Sequence, residues 1–125
     1  MDAGRFDEYG AEKCEKQSMK SEAIVVLTTA PNIEEGETLA QKIIKSKLAA
    51  CVQVLPPMKS FYWWENDVQI DSEHLLLIKT LSVKFSELKE FIQANHSYDV
   101  PEIIALKASD VAENYLVWMK NYLSE

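Results

Sequence analysis

Phe61-Tyr62-Trp63-Trp64 is the stretch on which the reading of this chain turns. Neighbouring side chains of a β-strand point to opposite faces. Phe61 and Trp63 therefore share one face, and Tyr62 and Trp64 the other. A strand with bulky aromatics on both faces needs cover on both. Nothing else in 125 residues is large enough to provide it, which marks the run as an element of assembly.

Outward from this run, Leu48 to Leu55 reads as a strand closed by Pro56-Pro57. A turn is expected at Asn66-Asp67, leading into a strand that ends Leu75-Leu76-Leu77-Ile78-Lys79-Thr80. Upstream, Glu22 to Ala30 is a β-branched strand. Pro31-Asn32 ends it and caps a helix through about Lys47, whose apolar stripe is Leu39, Ala40, Ile43 and Ile44. Downstream, Ser82 is expected to cap a second helix with Phe85, Leu88, Phe91 and Ile92 on its buried side. An extended linker around Tyr98 to Pro101 precedes a last strand, Glu102 to Ala108, and a short helix, Ala112 to Leu123.

The order β-α-β-β-α-β with an added terminal helix is the ferredoxin-like α+β pattern. Right-handed crossovers put both long helices on one face of the sheet. Yet Leu75 to Ile78, and much of Leu48 to Leu55, are apolar on both faces, as in strands buried on both sides. The terminal helix is too short to cover a sheet. The helix-free face is thus expected to pack against further copies of the chain.

Composition narrows the class. Hydrophobic residues at 47% and charged residues at 26% describe a globular domain, here residues 22–125, after a polar leader, 1–21, expected to be disordered. The leader has no apolar centre of a signal peptide, and no apolar run approaches the ~20 residues of a membrane span. Cys14 lies in the leader and Cys51 in an apolar strand, which favours reduced thiols and a cytoplasmic location. The formal charge is −7, of which −6 falls in residues 22–125. An acidic domain without a basic stripe argues against nucleic acid and anionic membranes as partners. No nucleophile elbow, phosphate loop, CxxC pair or HExxH helix is present. With three glycines the chain has no glycine-rich cofactor loop either. Neither enzymatic activity nor an organic cofactor is expected.

Three places carry possible chemistry. Cys51 shares the face away from the helices with Gln53, where a thiol suits a soft metal such as Cu(I); the plain alternative is an inert buried cysteine. His96, Tyr98, Asp99 and Glu102 gather around Pro101 at a helix-to-strand junction, where imidazole and carboxylate could bind a metal or simply shape a turn. Lys79 shares a strand face with Glu73, Leu75 and Leu77 and could anchor an anion or form an ordinary surface ion pair. His74 is expected at solvent or at an interface.

Five segments, in order, resemble the CutA divalent-cation tolerance family: Leu48-Ala49-Ala50-Cys51-Val52; Tyr62, Trp64 and Glu65; Glu73 with Leu76 to Thr80; His96, Tyr98 and Val100-Pro101-Glu102-Ile103; and Tyr115, Leu116 and Trp118. The resemblance implies a ferredoxin-like subunit in a compact homotrimer similar to PII-type signal proteins, with a role in tolerance of divalent metals, copper in particular. It implies Cys51 as a copper ligand, and His96, Tyr98, Glu102 and Lys79 as residues lining an intersubunit cleft, with His96 a second possible metal ligand. It also implies that Tyr62, Trp64 and Trp118 lie near subunit contacts. Ser97 departs from the family, in which a proline follows the histidine, and this is expected to loosen the loop. Two functions follow: a metal-binding homotrimer, or a PII-like sensor holding an anionic small molecule between subunits.

Overall fold

The computed structural model describes residues 22–124; the expected disordered leader and Cys14 lie outside them. Strand β1, Ala23–Ala30, leads into helix α1, Ile33–Lys45. Two long strands follow, β2, Cys51–Trp64, and β3, Asp67–Leu81. A 3₁₀ turn, Ser82–Lys84, opens helix α2, Phe85–Asn95. Strand β4, Ile104–Lys107, and helix α3, Glu113–Leu123, complete the chain. The four strands form one antiparallel sheet in the order β2-β3-β1-β4, the expected ferredoxin-like α+β topology.

Strand alternation separates two faces. Ile24, Val26 and Ala30 of β1 and Leu76 and Ile78 of β3 point toward the long helices. They are buried there against Leu39, Ile43, Leu88 and Ile92. On the opposite face Val25, Leu27, Leu75 and Leu77 are only half-buried, and Ile104 and Leu106 of β4 are exposed. Helix α3 covers one end of that face: Leu116, Met119 and Leu123 pack on Ala23 and Leu81. The rest stays open to solvent in the subunit, as the length of the terminal helix foretold.

Four local expectations are corrected. Pro56 and Pro57 do not end a strand. The chain runs unbroken from Cys51 to Trp64, and the register shifts between Val54 and Pro57. β2 is an edge strand, where proline leaves no ladder bond unmade, and a bulge absorbs the extra residue. His74 is not at the surface: its Nδ1 lies 2.8 Å from the Leu55 carbonyl beside this bulge, and the residue is buried. The hairpin turn is Glu65-Asn66, with φ of 52° and 62°, rather than Asn66-Asp67. Two consecutive positive φ values match the strand twist, as in a type I′ turn. Ser82 also caps nothing; it starts the 3₁₀ turn, and no side chain caps α2.

The bulge has a consequence for the sheet faces. Cys51 and Gln53 oppose Lys79 and Leu77, whereas past the bulge Met58, Ser60, Tyr62 and Trp64 oppose Glu73, Asp71, Gln69 and Asp67. The helix-free face therefore takes odd residues of β2 before Pro57 and even residues after it. Tyr62 and Trp64 continue that face, while Phe61 and Trp63 turn to the other with Ile70 and Val68.

Candidate ligand site

Two clusters stand on the helix-free face. At the α3 end, Cys51 opens β2 directly across from Lys79. The thiol is free and half-buried. The Lys79 ammonium lies 6.0 Å from the centre of the Tyr115 ring, and Trp118 sits one helical turn further at 5.4 Å. The Tyr115 phenol is held above its ordinary range, first by desolvation and then by its electrostatic interaction with Cys51.

The second cluster surrounds Glu73. One carboxylate oxygen accepts the Tyr98 hydroxyl at 2.9 Å and the Thr29 hydroxyl at 3.2 Å. Asp71, two residues along the same face, accepts the Tyr62 hydroxyl. Tyr98 is pushed up from the usual phenol range, first by burial and then by its hydrogen bond to Glu73. Tyr62 moves the same way, chiefly through Asp71.

His96 ties this cluster to the fold. Its imidazole is shielded from solvent. Nε2 lies 2.6 Å from the Thr29 carbonyl and donates to it, while Nδ1 accepts the Tyr98 amide at 3.0 Å. The hydrogen bonds thus select the Nε2–H tautomer. Both nitrogens are engaged, so the ring presents no unused lone pair within the subunit. The Glu35 carboxylate stands 3.7 Å from Nδ1 and accepts the Ser97 amide at 3.0 Å. Ser97 thus supplies a loop hydrogen bond that a proline at this position could not, because proline has no N–H to give.

Cys51 and His96 do not meet in one subunit. Cys51 is level with Lys79, and Thr29, to which His96 bonds, is level with Leu75. Four residues of strand separate those levels by about 13 Å. Among the described residues, no three His, Cys, Asp or Glu side chains stand close enough to hold a metal ion. Glu102 is exposed beside Pro101. Tyr62, Trp64 and Trp118 are all exposed. Sequence reasoning missed Glu35 and Thr29, whose partners lie far along the chain, and Asp71, whose partner Tyr62 is set by the register of the hairpin. It reached Glu73 only as a neighbour of Lys79 on its strand face and by resemblance, without its hydroxyl partners.

The topology and these groups define an α+β protein of ferredoxin-like design with polar clusters on an open sheet face. A family model described as CutA1 divalent ion tolerance protein matches residues 24–122. The chain belongs to this family. It is 48% identical over 113 residues to "Protein CutA 1, chloroplastic" of Oryza sativa, covering 90% of this chain and 64% of that protein. It is 43% identical over 96 residues to the divalent-cation tolerance protein CutA of Thermus thermophilus, covering 77% and 93%. The crystal structure of CutA1 from Oryza sativa superposes with a TM-score of 0.80 at 49% identity, covering 83% of this chain and 95% of that one. The chain spans about three-fifths of the length of the plant relatives it matches, the second being from Arabidopsis thaliana.

Proposed function

We propose that the chain is a non-enzymatic homotrimer that binds divalent or soft metal ions, copper foremost, in metal tolerance. The observation that carries this reading is a free Cys51 thiol on a sheet face whose apolar residues stay half-open in the subunit. Sister copies covering that face would bury Val25, Leu27, Leu75 and Leu77. The divalent-cation tolerance named for the relatives agrees with a metal role. A thiolate suits Cu(I) better than hard cations. The described residues of one subunit do not complete a donor set, so in this reading neighbouring copies supply the remaining ligands. His96 is the weaker donor, since a metal would have to displace Thr29 or the Tyr98 amide from it. A reduced thiol suits the cytoplasm, and equally the chloroplast named for the plant relatives.

Calorimetric titration of the assembled protein with Cu(I), Cu(II) and Zn(II), beside a Cys51→Ser variant, tests it. Binding that Cys51→Ser weakens is expected. Affinity no tighter than that of an unrelated acidic protein would refute the metal role.

One observation favours the PII-like reading. Among the described residues Lys79 has no carboxylate partner, only the Tyr115 ring. An anionic small molecule could take that position, with Tyr98 and Glu102 contributed across a subunit boundary. Thermal-shift screening against small anions, with loss of the shift in Lys79→Ala, supports this reading; no shift from any anion counts against it.

A further inference from the structure

We propose that Glu35 is a positioning residue: its carboxylate, by taking the Ser97 amide, sets the loop from His96 to Pro101 so that the Tyr98 phenol reaches Glu73. Glu35 lies in the first turn of α1, where its own amide is held by the Asn32 side chain at 2.8 Å. The α1 terminus is therefore a fixed mount, and Glu35 extends from it across 62 residues of sequence to the Ser97 amide. From there the chain is committed residue by residue. His96 is pinned to Thr29, Tyr98 donates its amide back to His96, and its ring packs on the imidazole at 4.8 Å between centroids. The phenol then meets Glu73. Three consecutive residues are thus held by three different elements, α1, β1 and β3. The Glu35 contact is the one of these that involves a partly exposed carboxylate. A ligand or a charge arriving near α1 can therefore reach Tyr98 through it. The latch stands on geometry alone; only its consequence for ligand binding rests on the PII-like reading of Tyr98.

Amide hydrogen exchange at Tyr98 measures the latch without any ligand. Glu35→Ala is expected to speed that exchange about tenfold, the scale of losing one charge-assisted hydrogen bond. Glu35→Gln, which keeps an acceptor oxygen, should restore most of the protection. The decisive comparison is Ser97→Pro, which deletes the donor. In that background Glu35→Ala should change Tyr98 exchange less than about twofold, whereas in a Ser97→Ala background it should retain its full effect. The Tyr98 phenol supplies a spectroscopic signature, since Glu35→Ala should bring its titration back toward that of an ordinary tyrosine. Unchanged Tyr98 exchange in Glu35→Ala, or an equal effect with proline at 97, would overturn the proposal. Failure of every anion to bind would leave these outcomes untouched and count only against the PII-like reading.

Discussion

Trp63→Ala separates the stability of a subunit from the stability of an assembly. In the isolated subunit Trp63 is 67% exposed, beside Val68, itself 53% exposed, across the hairpin. Removing it there deletes one cross-strand pair, worth about 0.2–1 kcal/mol. If sister chains cover the hairpin, the same ring loses its water. A tryptophan presents up to about 250 Å², and two-thirds of that at about 25 cal/mol per Å² is roughly 4 kcal/mol per copy. Ordering and imperfect fit reduce this, so an increase in the dissociation constant of about 100- to 1,000-fold for each contact is expected. Sedimentation velocity across a wide dilution series reads the assembly, and urea unfolding of the dilute subunit reads the fold. The expected result is a large shift in the first and almost none in the second. A native chain that stays monomeric at micromolar concentration would refute the reasoning. So would a Trp63→Ala variant that assembles like the native chain.

Gly36→Ala is expected to stabilise the protein by about 0.5–1 kcal/mol in urea unfolding. The residue is inside α1, where alanine is the better helix former, and an added Cβ would meet Val54, Ala30 and Leu76 side chains at 3.4–3.6 Å, ordinary contact distances. His74→Ala should cost about 0.5–1.5 kcal/mol by the same measurement, because the half-buried Leu55 carbonyl at the bulge loses its partner. Stability should be independent of pH below about 10 with respect to Tyr98 and fall in stronger alkali. Its folded phenol holds the proton more tightly than the unfolded one, so deprotonation favours unfolding. In Tyr98→Phe that part of the alkaline decline should disappear from a pH series of denaturation midpoints.

The cause of each success and failure in reading the chain can be traced to individual residues. Strand β1 and helix α1 were legible because every signal needed for them is local: β-branched alternation, Asn32 as a cap, and apolar residues at helical spacing. The prolines misled because their meaning depends on whether a strand lies at the edge of a sheet. The sequence around Pro56 does not state that. His74 misled for the same reason, since the carbonyl it satisfies is exposed only by the bulge. The candidate ligand residues Cys51, Lys79, His96, Tyr98 and Glu102 were singled out by type and resemblance. Their division into a thiol–lysine end and a phenol–carboxylate end was not legible.

What the amino-acid order by itself determined is the set of elements, their succession, and the surplus of apolar side chains on a sheet with helices along one side only. Periodicity is enough for these, because it needs only neighbours within a turn or a strand. Tertiary structure alone decided which residues meet. The phase change at the bulge carries Tyr62 onto the face of Asp71, and folding brings Glu35 to Ser97. Such contacts join distant positions through strand register and chain path, and neither is encoded in any local run.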